Sequence, residues 1–378
     1  MSPDAQPGRR PRILMMGPFP PPVHGASQMT ALLADRLEQE FDVRRCRLSP
    51  SPGGNGPARH IAKGWLHARA LLCLFLPRNR RVTTYVSLPG GLALTFVLPI
   101  VLASRLRRNP LILHHHSFRY LETTARLLRL VVRLGGKDQV HLVLCQEMAA
   151  QLKNRYGKGL RTLALSNAWV CSTALAPAQR CDGPPRLGHL SNLSLEKGLD
   201  TVIAVFDIVA AQDPTATLSL AGPAADCKVV DLIDAAVARH PGRVIYRGPL
   251  FGDEKRQFLG ELDYFLFFSR YEDEAEPLVV DEALAAGAHV LTLQRGCLCA
   301  GNYNQQSVTV LAQSVEPAAI ARLLAHASPL PRGEAIAEAE RRRIDATAQL
   351  VVFQEWIVAK ATTTSTSTSA STLGGPKR

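Results

Sequence analysis

Glu274 and Glu282 stand eight residues apart in the run Ser269-Arg-Tyr-Glu-Asp-Glu274-Ala-Glu276-Pro277-Leu278-Val-Val-Asp281-Glu282-Ala-Leu-Ala-Ala-Gly287. Pro277 suits a first helical turn and Gly287 a helix stop, so the spacing predicts Glu274 in a loop and Glu282 inside a helix. Glu276 precedes the proline, where a carboxylate can accept backbone donors. Carboxylates accept strongly from vicinal diols, so one glutamate could hold a sugar and the other ribose hydroxyls. Acidity that complements the helix dipole is the plainer role.

Lys197 lies in Glu196-Lys197-Gly198, ahead of Leu199, Val202, Ile203, Phe206 and Val209, which recur at helical spacing. An ammonium beside a helix start, with its exposed backbone donors, suits a diphosphate. A solvated surface lysine is the alternative. In the N-terminal half, Pro20-Pro-Pro-Val-His24-Gly25-Ala26-Ser27 follows a buried-strand pattern. Gly25 there lets backbone approach a bound group closely, although a glycine after prolines is more often simply a turn. His114, His115 and His116 end another strand pattern. Strand alternation points His114 and His116 one way and His115 the other. No carboxylate or cysteine lies near them in sequence, so no metal site is expected.

Strands that carry such residues are predicted at Arg12–Met16, Val82–Ser87, Leu111–His114 and Val140–Leu144, with helices about His60–Phe75, Leu92–Arg105 and Leu121–Leu134 between them. A second series runs through Leu187–Leu190, Thr217–Ala221, Val244–Arg247, Tyr264–Phe268 and Val290–Leu293. Strands alternating with helices predict an α/β fold of two Rossmann-like parallel-sheet domains facing across a cleft, with ligands at the carboxyl ends of the strands. The expected organisation is a disordered arm at 1–10, a first domain at 11–172, a linker at 173–185 and a second domain at 186–345. A helix at 346–360 crosses between them, with Val351, Val352, Trp356 and Ile357 as its apolar residues, and a Thr/Ser-rich disordered tail closes the chain at 361–378.

With 378 residues, the chain is longer than one typical core supports. Its formal net charge of +12 attracts anions, whether nucleic acid, acidic lipid headgroups or phosphorylated small molecules. No nucleic-acid module is recognisable, so no nucleic-acid partner is expected. Eight scattered cysteines without a paired Cys-x-x-Cys set suit a reduced, cytoplasmic compartment. The polar N-terminus does not read as a secretory signal. The apolar stretch Gly91 to Ala103, ahead of Arg105, Arg107 and Arg108, is too short to span a bilayer and predicts a buried or an interfacial helix.

The segment from Glu274 to Gly287 resembles the Glu-x7-Glu motif of retaining family 4 glycosyltransferases with the GT-B fold, including the Pro277-Leu278 pair and the Glu-Ala-x-Ala-x-Gly ending. Glu196-Lys197-Gly198 resembles the family's Glu-Lys-Gly, and Ala221-Gly222-Pro223 its strand-end glycine. Ser166-Asn167-Ala168-Trp169-Val170 is similar to an architectural segment before the linker. The resemblance implies a nucleotide-diphosphate-sugar donor, retention at the anomeric carbon, and no metal or other cofactor. It implies donor binding by Lys197, Glu282, Pro277 and Leu278, with Gly25 from the first domain. His115 and Glu274 would be catalytic, and His24 and His116 would lie on the acceptor side. The family usually has an arginine five residues before the lysine. Here Asn192 stands in its place, which can donate hydrogen bonds but lacks the charge and fork of a guanidinium. The acceptor is not identified. Acceptors of this family are often lipid-linked, which adds peripheral contact with an anionic membrane surface on the inner face of the cytoplasmic membrane and a role in cell-surface polysaccharide or glycolipid biosynthesis. A sugar-nucleotide epimerase and a non-catalytic nucleotide-sugar-binding scaffold are the alternatives, and Asn192 favours the scaffold.

Overall fold

The computed structural model describes residues 10–22, 24–50, 56–123, 125–171, 185–326 and 331–369. The arm and linker expected at 1–10 and 173–185 lie outside the described residues apart from Arg10 and Pro185. The chain divides into two units, residues 1–166 with 347–378, and residues 167–346.

The first unit runs β1 (Arg12–Gly17), α1 (Gly25–Glu38), β2 (Asp42–Arg47), α2 (Pro57–Phe75), β3 (Thr83–Leu88), α3 (Leu98–Leu106), β4 (Leu111–His115), α4 (Arg119–Glu122), α5 (Arg126–Gly135), β5 (Val140–Val143), α6 (Gln146–Tyr156) and β6 (Arg161–Ala164). Its six strands pair in parallel in the order β2-β1-β3-β4-β5-β6. The central strands are buried along nearly their whole length, as a sheet covered on both faces requires.

The second unit runs β7 (Arg186–Leu190), α7 (Leu199–Gln212), β8 (Thr217–Ala221), α8 (Cys227–Arg239), β9 (Val244–Tyr246), α9 (Gly252–Glu261), β10 (Tyr264–Phe267), α10 (Leu278–Ala285), β11 (His289–Leu293), β12 (Val308–Leu311) and α11 (Pro317–His326). Its sheet is again parallel, ordered β12-β11-β10-β7-β8-β9. Phe206, Leu218, Leu266 and Phe268 centre the core on one face, and Phe265, Phe267, Val280 and Leu284 on the other. A final helix, α12 (Arg332–Ser369), contributes residues up to Ala346 to this unit and later ones to the first.

Three strands escaped the sequence reading: β2, β6 and β12. All lie at sheet edges, where one flank carries no neighbour and an apolar run is not required. The apolar stretch at 91–103 breaks into a short 3-10 turn, Gly91–Phe96, followed by α3. Leu94, Val97, Ile100, Val101 and Ala103 are buried, so it is a core element. Arg105 is tied to the carbonyls of Arg133 and Leu134, and Arg107 to that of Leu76, so both serve as tethers within the unit. In α12 the inward residues are Leu350, Phe353 and Ile357, while Val351 and Val352 are exposed. The helix also continues through 361–369, where composition predicts disorder. Propagating a helix already nucleated over eight turns is far easier than starting one. Residues 370–378 lie outside the described set.

Candidate active site

In the second unit, β7 and β10 are hydrogen-bonded neighbours although β8 and β9 lie between them in sequence. The chain builds outward from β7 to β9 and then returns to the other side, so the β7/β10 boundary is the switch point of the sheet. Crevices at such points, beyond the carboxyl ends of the strands, are where open α/β sheets bind ligands. His189 on β7 clamps the two strands: its Nδ1 lies 2.7 Å from the Leu266 carbonyl of β10, and its Nε2 lies 2.9 Å from Ser191 Oγ. The carbonyl can only accept, so Nδ1 carries the proton. Burial lowers the His189 pKa to about 4, and the ring is neutral near pH 7.

Lys197 and Glu274 meet at this boundary. Lys197 Nζ donates to Glu274 Oε2 at 2.5 Å and lies 4.7 Å from the centre of the Tyr271 ring. Ser269 Oγ donates to the same Oε2 at 2.8 Å. Both bonds fall on one oxygen, which keeps Oε1 for a ligand hydroxyl, and an ammonium with three donors has some to spare for a phosphate.

Backbone contacts explain the meeting. Gly198 sits at φ +80, and a Cβ there would come within 2.1 Å of the Phe268 carbonyl oxygen, so only glycine lets the Lys197 turn lie against the end of β10. The Arg270 amide donates to the Glu196 carbonyl at 2.7 Å, and its guanidinium reaches Leu195 O and Asp200. Behind Glu274, the loop after β11 closes in. Arg295 Nε donates to Tyr271 O at 2.8 Å and the Cys297 amide to Ala275 O at 2.7 Å. Gly296, at φ +59, passes so close that a Cβ would meet Ala275 O at 2.4 Å.

Pro277 forms the N-cap of α10, and Leu278 is its first residue. The opening amides of a helix have no intrahelical acceptor, so this end offers donors to an anion. Glu282 lies on α10, and its carboxylate is 2.6 Å from Lys255 Nζ on α9. Asn192 is exposed in the loop after β7. Glu276, expected at the helix start, reaches elsewhere as well: it accepts from the Asn167 amide at 2.6 Å and from Arg342 at 2.9 Å. Arg342 also binds Asp281 at 2.6 Å and stacks 4.0 Å from the Tyr303 ring. This buried cluster fixes the α10 N-terminus. Ser269 and Tyr271 lie inside the motif read from sequence. Lys255, Arg295 and Arg342 come from distant segments, and nothing local marks them.

In the first unit, His24 caps α1, its Nδ1 accepting from the Ser27 amide while Ser27 Oγ accepts from the His24 amide. Gly25 is exposed, and apart from its chain neighbours and the α1 backbone nothing lies within 4 Å of where its Cβ would be. His115, expected at the reaction centre, lies in the interior of the unit. Its ring is 0% exposed, with Nδ1 3.0 Å from Tyr120 Oη and Nε2 2.9 Å from His141 Nδ1. It is an interior residue because its position on the strand points it away from the surface that His116 reaches. His114 is likewise buried against Tyr85 Oη at 2.6 Å. His116, just past the end of β4, is half-buried. Burial first, and then the neighbouring His24, lower its pKa to about 4. The His116 ring lies 3.9 Å from that of His114, and His24 is near enough to act on its charge. Among the described residues no group of three or more His, Cys, Asp or Glu side chains is arranged to hold a metal ion.

The fold is shared with several solved structures. HepE of Anabaena in complex with UDP-glucose superposes with a TM-score of 0.64 at 17% identity, covering 93% of this chain and 99% of that one. Sucrose-phosphate synthase from Thermosynechococcus elongatus gives 0.62 at 13% identity, covering 97% of this chain and 100% of that one. The pneumococcal O-GlcNAc transferase GtfA, in complex with UDP and GlcNAc, gives 0.59 at 15% identity over 78% of this chain and 60% of that one. The chain thus has the GT-B fold. Residues 184–328 match the family described as "Glycosyl transferases group 1". The matched residues lie within the second unit. No curated protein sequence matches the chain.

Proposed function

We infer that this protein is a retaining, metal-independent glycosyltransferase that moves a hexose from a nucleotide-diphosphate-sugar to an acceptor hydroxyl, in the assembly of a cell-surface polysaccharide or glycolipid. The observation that carries this reading is the Lys197–Glu274 pair at the β7/β10 switch point, braced by Ser269 and beside the open helix start at Leu278. In this reading Lys197 and the α10 amides take the diphosphate, Glu274 Oε1 takes a sugar hydroxyl, and Glu282 takes the ribose after sharing or releasing Lys255. When the nucleoside diphosphate departs, charge grows on its phosphate oxygen, and a fixed ammonium with helix-end donors stabilises that charge. The acceptor oxygen bonds to the anomeric carbon on the face the phosphate leaves, and its proton passes to the departing phosphate oxygen. His24 and His116, on the first unit, serve the acceptor side. His116, neutral near pH 7, offers the acceptor a hydrogen bond without a charge. HepE is bound to UDP and to UDP-glucose in its structures, which makes uridine diphosphate sugars the first donors to try.

Calorimetric titration with uridine and guanosine diphosphate sugars tests the reading. Wild type is expected to bind one of them, and Lys197→Ala and Glu282→Ala to weaken it at least about tenfold each, the loss expected for a charge-assisted contact of about 1.4 kcal/mol or more. A folded protein that binds no donor would overturn the transferase reading, and one that binds a donor without turning it over would favour the scaffold, the reading that the uncharged Asn192 supports. Donor consumed without an acceptor product would favour the epimerase.

A further inference from the structure

Each of the two spaced glutamates holds a lysine. Lys197 Nζ rests on Glu274, and Lys255 Nζ lies 2.6 Å from both carboxylate oxygens of Glu282. Lys255 donates to Oε1, whereas Oε2 is shut off from solvent and accepts no hydrogen bond among the described residues. That oxygen has the ammonium's charge beside it but no proton, and a ligand hydroxyl would complete it. Packing sets the place of Lys255. It is the fourth residue of α9, and Phe258 and Leu259, one turn further on, share a buried core with Val280, Ala283 and Leu284 of α10. Both helices follow strands of one parallel sheet, so both begin at its carboxyl edge. Glu282 stands four residues, about 6 Å along the axis, from Leu278 at the start of α10. Glu274 and Glu282 bring two negative charges to this edge, and Lys197 answers one of them. Asn192 in the loop after β7 carries none, and other cations of the unit are committed, Arg270 to Asp200 and Thr201, Arg342 to Glu276 and Asp281.

We propose that Lys255 is the second phosphate-binding cation of the donor site, passing from Glu282 to the α-phosphate when the ribose takes its place on the carboxylate. The inference rests on the donor-site reading given above. In a nucleoside diphosphate the ribose joins the α-phosphate through one carbon and one oxygen, so an ammonium displaced from the carboxylate that holds the ribose is left beside that phosphate. By the same reasoning Lys197, on the carboxylate that takes the sugar, stands at the β-phosphate. Lys197 can keep Glu274 while it donates to phosphate, because an ammonium has three donors. Lys255 has to let go, because the ribose hydroxyls need the same carboxylate. Its four-carbon stem turns on a backbone fixed by the α9/α10 core, and the side chain is 26% exposed, so the exchange needs no movement of either helix. Charge stays paired throughout. Without donor, the Lys255–Glu282 pair cancels a carboxylate that would repel the incoming anion, and with donor each ammonium faces a phosphate.

Competition calorimetry with a nucleotide series on the whole protein separates the two lysines. The probes are uridine diphosphate, uridine monophosphate and uridine, or the guanosine set if wild type binds guanosine diphosphate instead. Lys255→Met is expected to weaken the diphosphate and the monophosphate about tenfold each and the nucleoside less than about twofold, because both nucleotides carry the phosphate it would contact. Lys197→Ala should weaken the diphosphate and leave the monophosphate within about twofold of wild type. Lys255→Arg, which keeps the charge, should recover most of the nucleotide binding that Lys255→Met loses. Added salt should narrow the gap between wild type and Lys255→Met, since the contact is a part-exposed charge. Urea midpoints close to wild type in both Lys255 variants would show that the losses are not losses of fold. Wild-type nucleotide affinity in Lys255→Met, or a loss as large for uridine as for the nucleotides, would overturn the role of Lys255 and leave the donor site standing. Wild type that binds none of the set would overturn both.

Discussion

Lys197 and Glu274 are separated by 77 residues, yet they form the shortest charged contact at the candidate site. Each was legible in sequence because its own neighbours are distinctive, a Glu-Lys-Gly turn and a Pro-Leu helix start. Their direct pairing was not legible, because it depends on how close two backbones pass. The histidines separate similarly by environment. His115→Ala removes a hydrogen-bond partner of His141 and Tyr120 from the interior and opens a void, so it is expected to cost about 2–4 kcal/mol in urea unfolding. His116→Ala, at the half-buried strand end, should cost less than about 1 kcal/mol and act on transfer instead. Equal stability losses in the two variants would contradict the assignment of His115 as structural.

Among the elements, α10 gains its position from elsewhere in the chain. Arg342, on α12, neutralises both Glu276 and Asp281 and is held well above the ordinary arginine pKa by those carboxylates, despite the opposing cost of burial. Removing one partner of such a cluster leaves buried charge uncompensated. Arg342→Met is therefore expected to destabilise the second unit by about 3–5 kcal/mol and to weaken donor binding through the displaced α10 start. Exposed Arg247, paired with the partly exposed Glu261, provides the contrast: its methionine variant should fall within about 0.5 kcal/mol of wild type. Chemical denaturation and donor titration of both variants check the pair. The edge strands β2, β6 and β12 show why element boundaries were only partly legible. Strand β2 reads Asp-Val-Arg-Arg-Cys-Arg, a sequence that only pairing with β1 turns into a strand.

Across the whole molecule, buried neutral imidazoles link stability to pH in both units. His141 in the first and His189 in the second are held near 4 by burial, and His114 and His115 lie well below the ordinary value. Unfolded histidine takes a proton near 6.5, whereas His141 and His189 do not until about 4. Between those values the unfolded chain binds more protons, so stability is complete above about pH 6.5 and is lost as pH falls toward 4. For His141 or His189 the loss is on the order of 3 kcal/mol at most. Urea midpoints measured at pH 7.5, 6 and 5 should fall in that order, and because the chain has two units, each transition should move. Midpoints that stay level would mean that these rings are not buried as described.

The sequence alone determined the two β/α series and the motif glutamates, the lysine and the departure at Asn192, because periodicity and short turn signals are local properties. Tertiary structure decided which residues those motifs touch. It placed Lys197 on Glu274 through the Phe268 carbonyl and turned His115 inward. It engaged Glu276 and Asp281 with Arg342, and it buried the 91–103 stretch. Such outcomes depend on distances between segments tens of residues apart, and no local pattern encodes those distances.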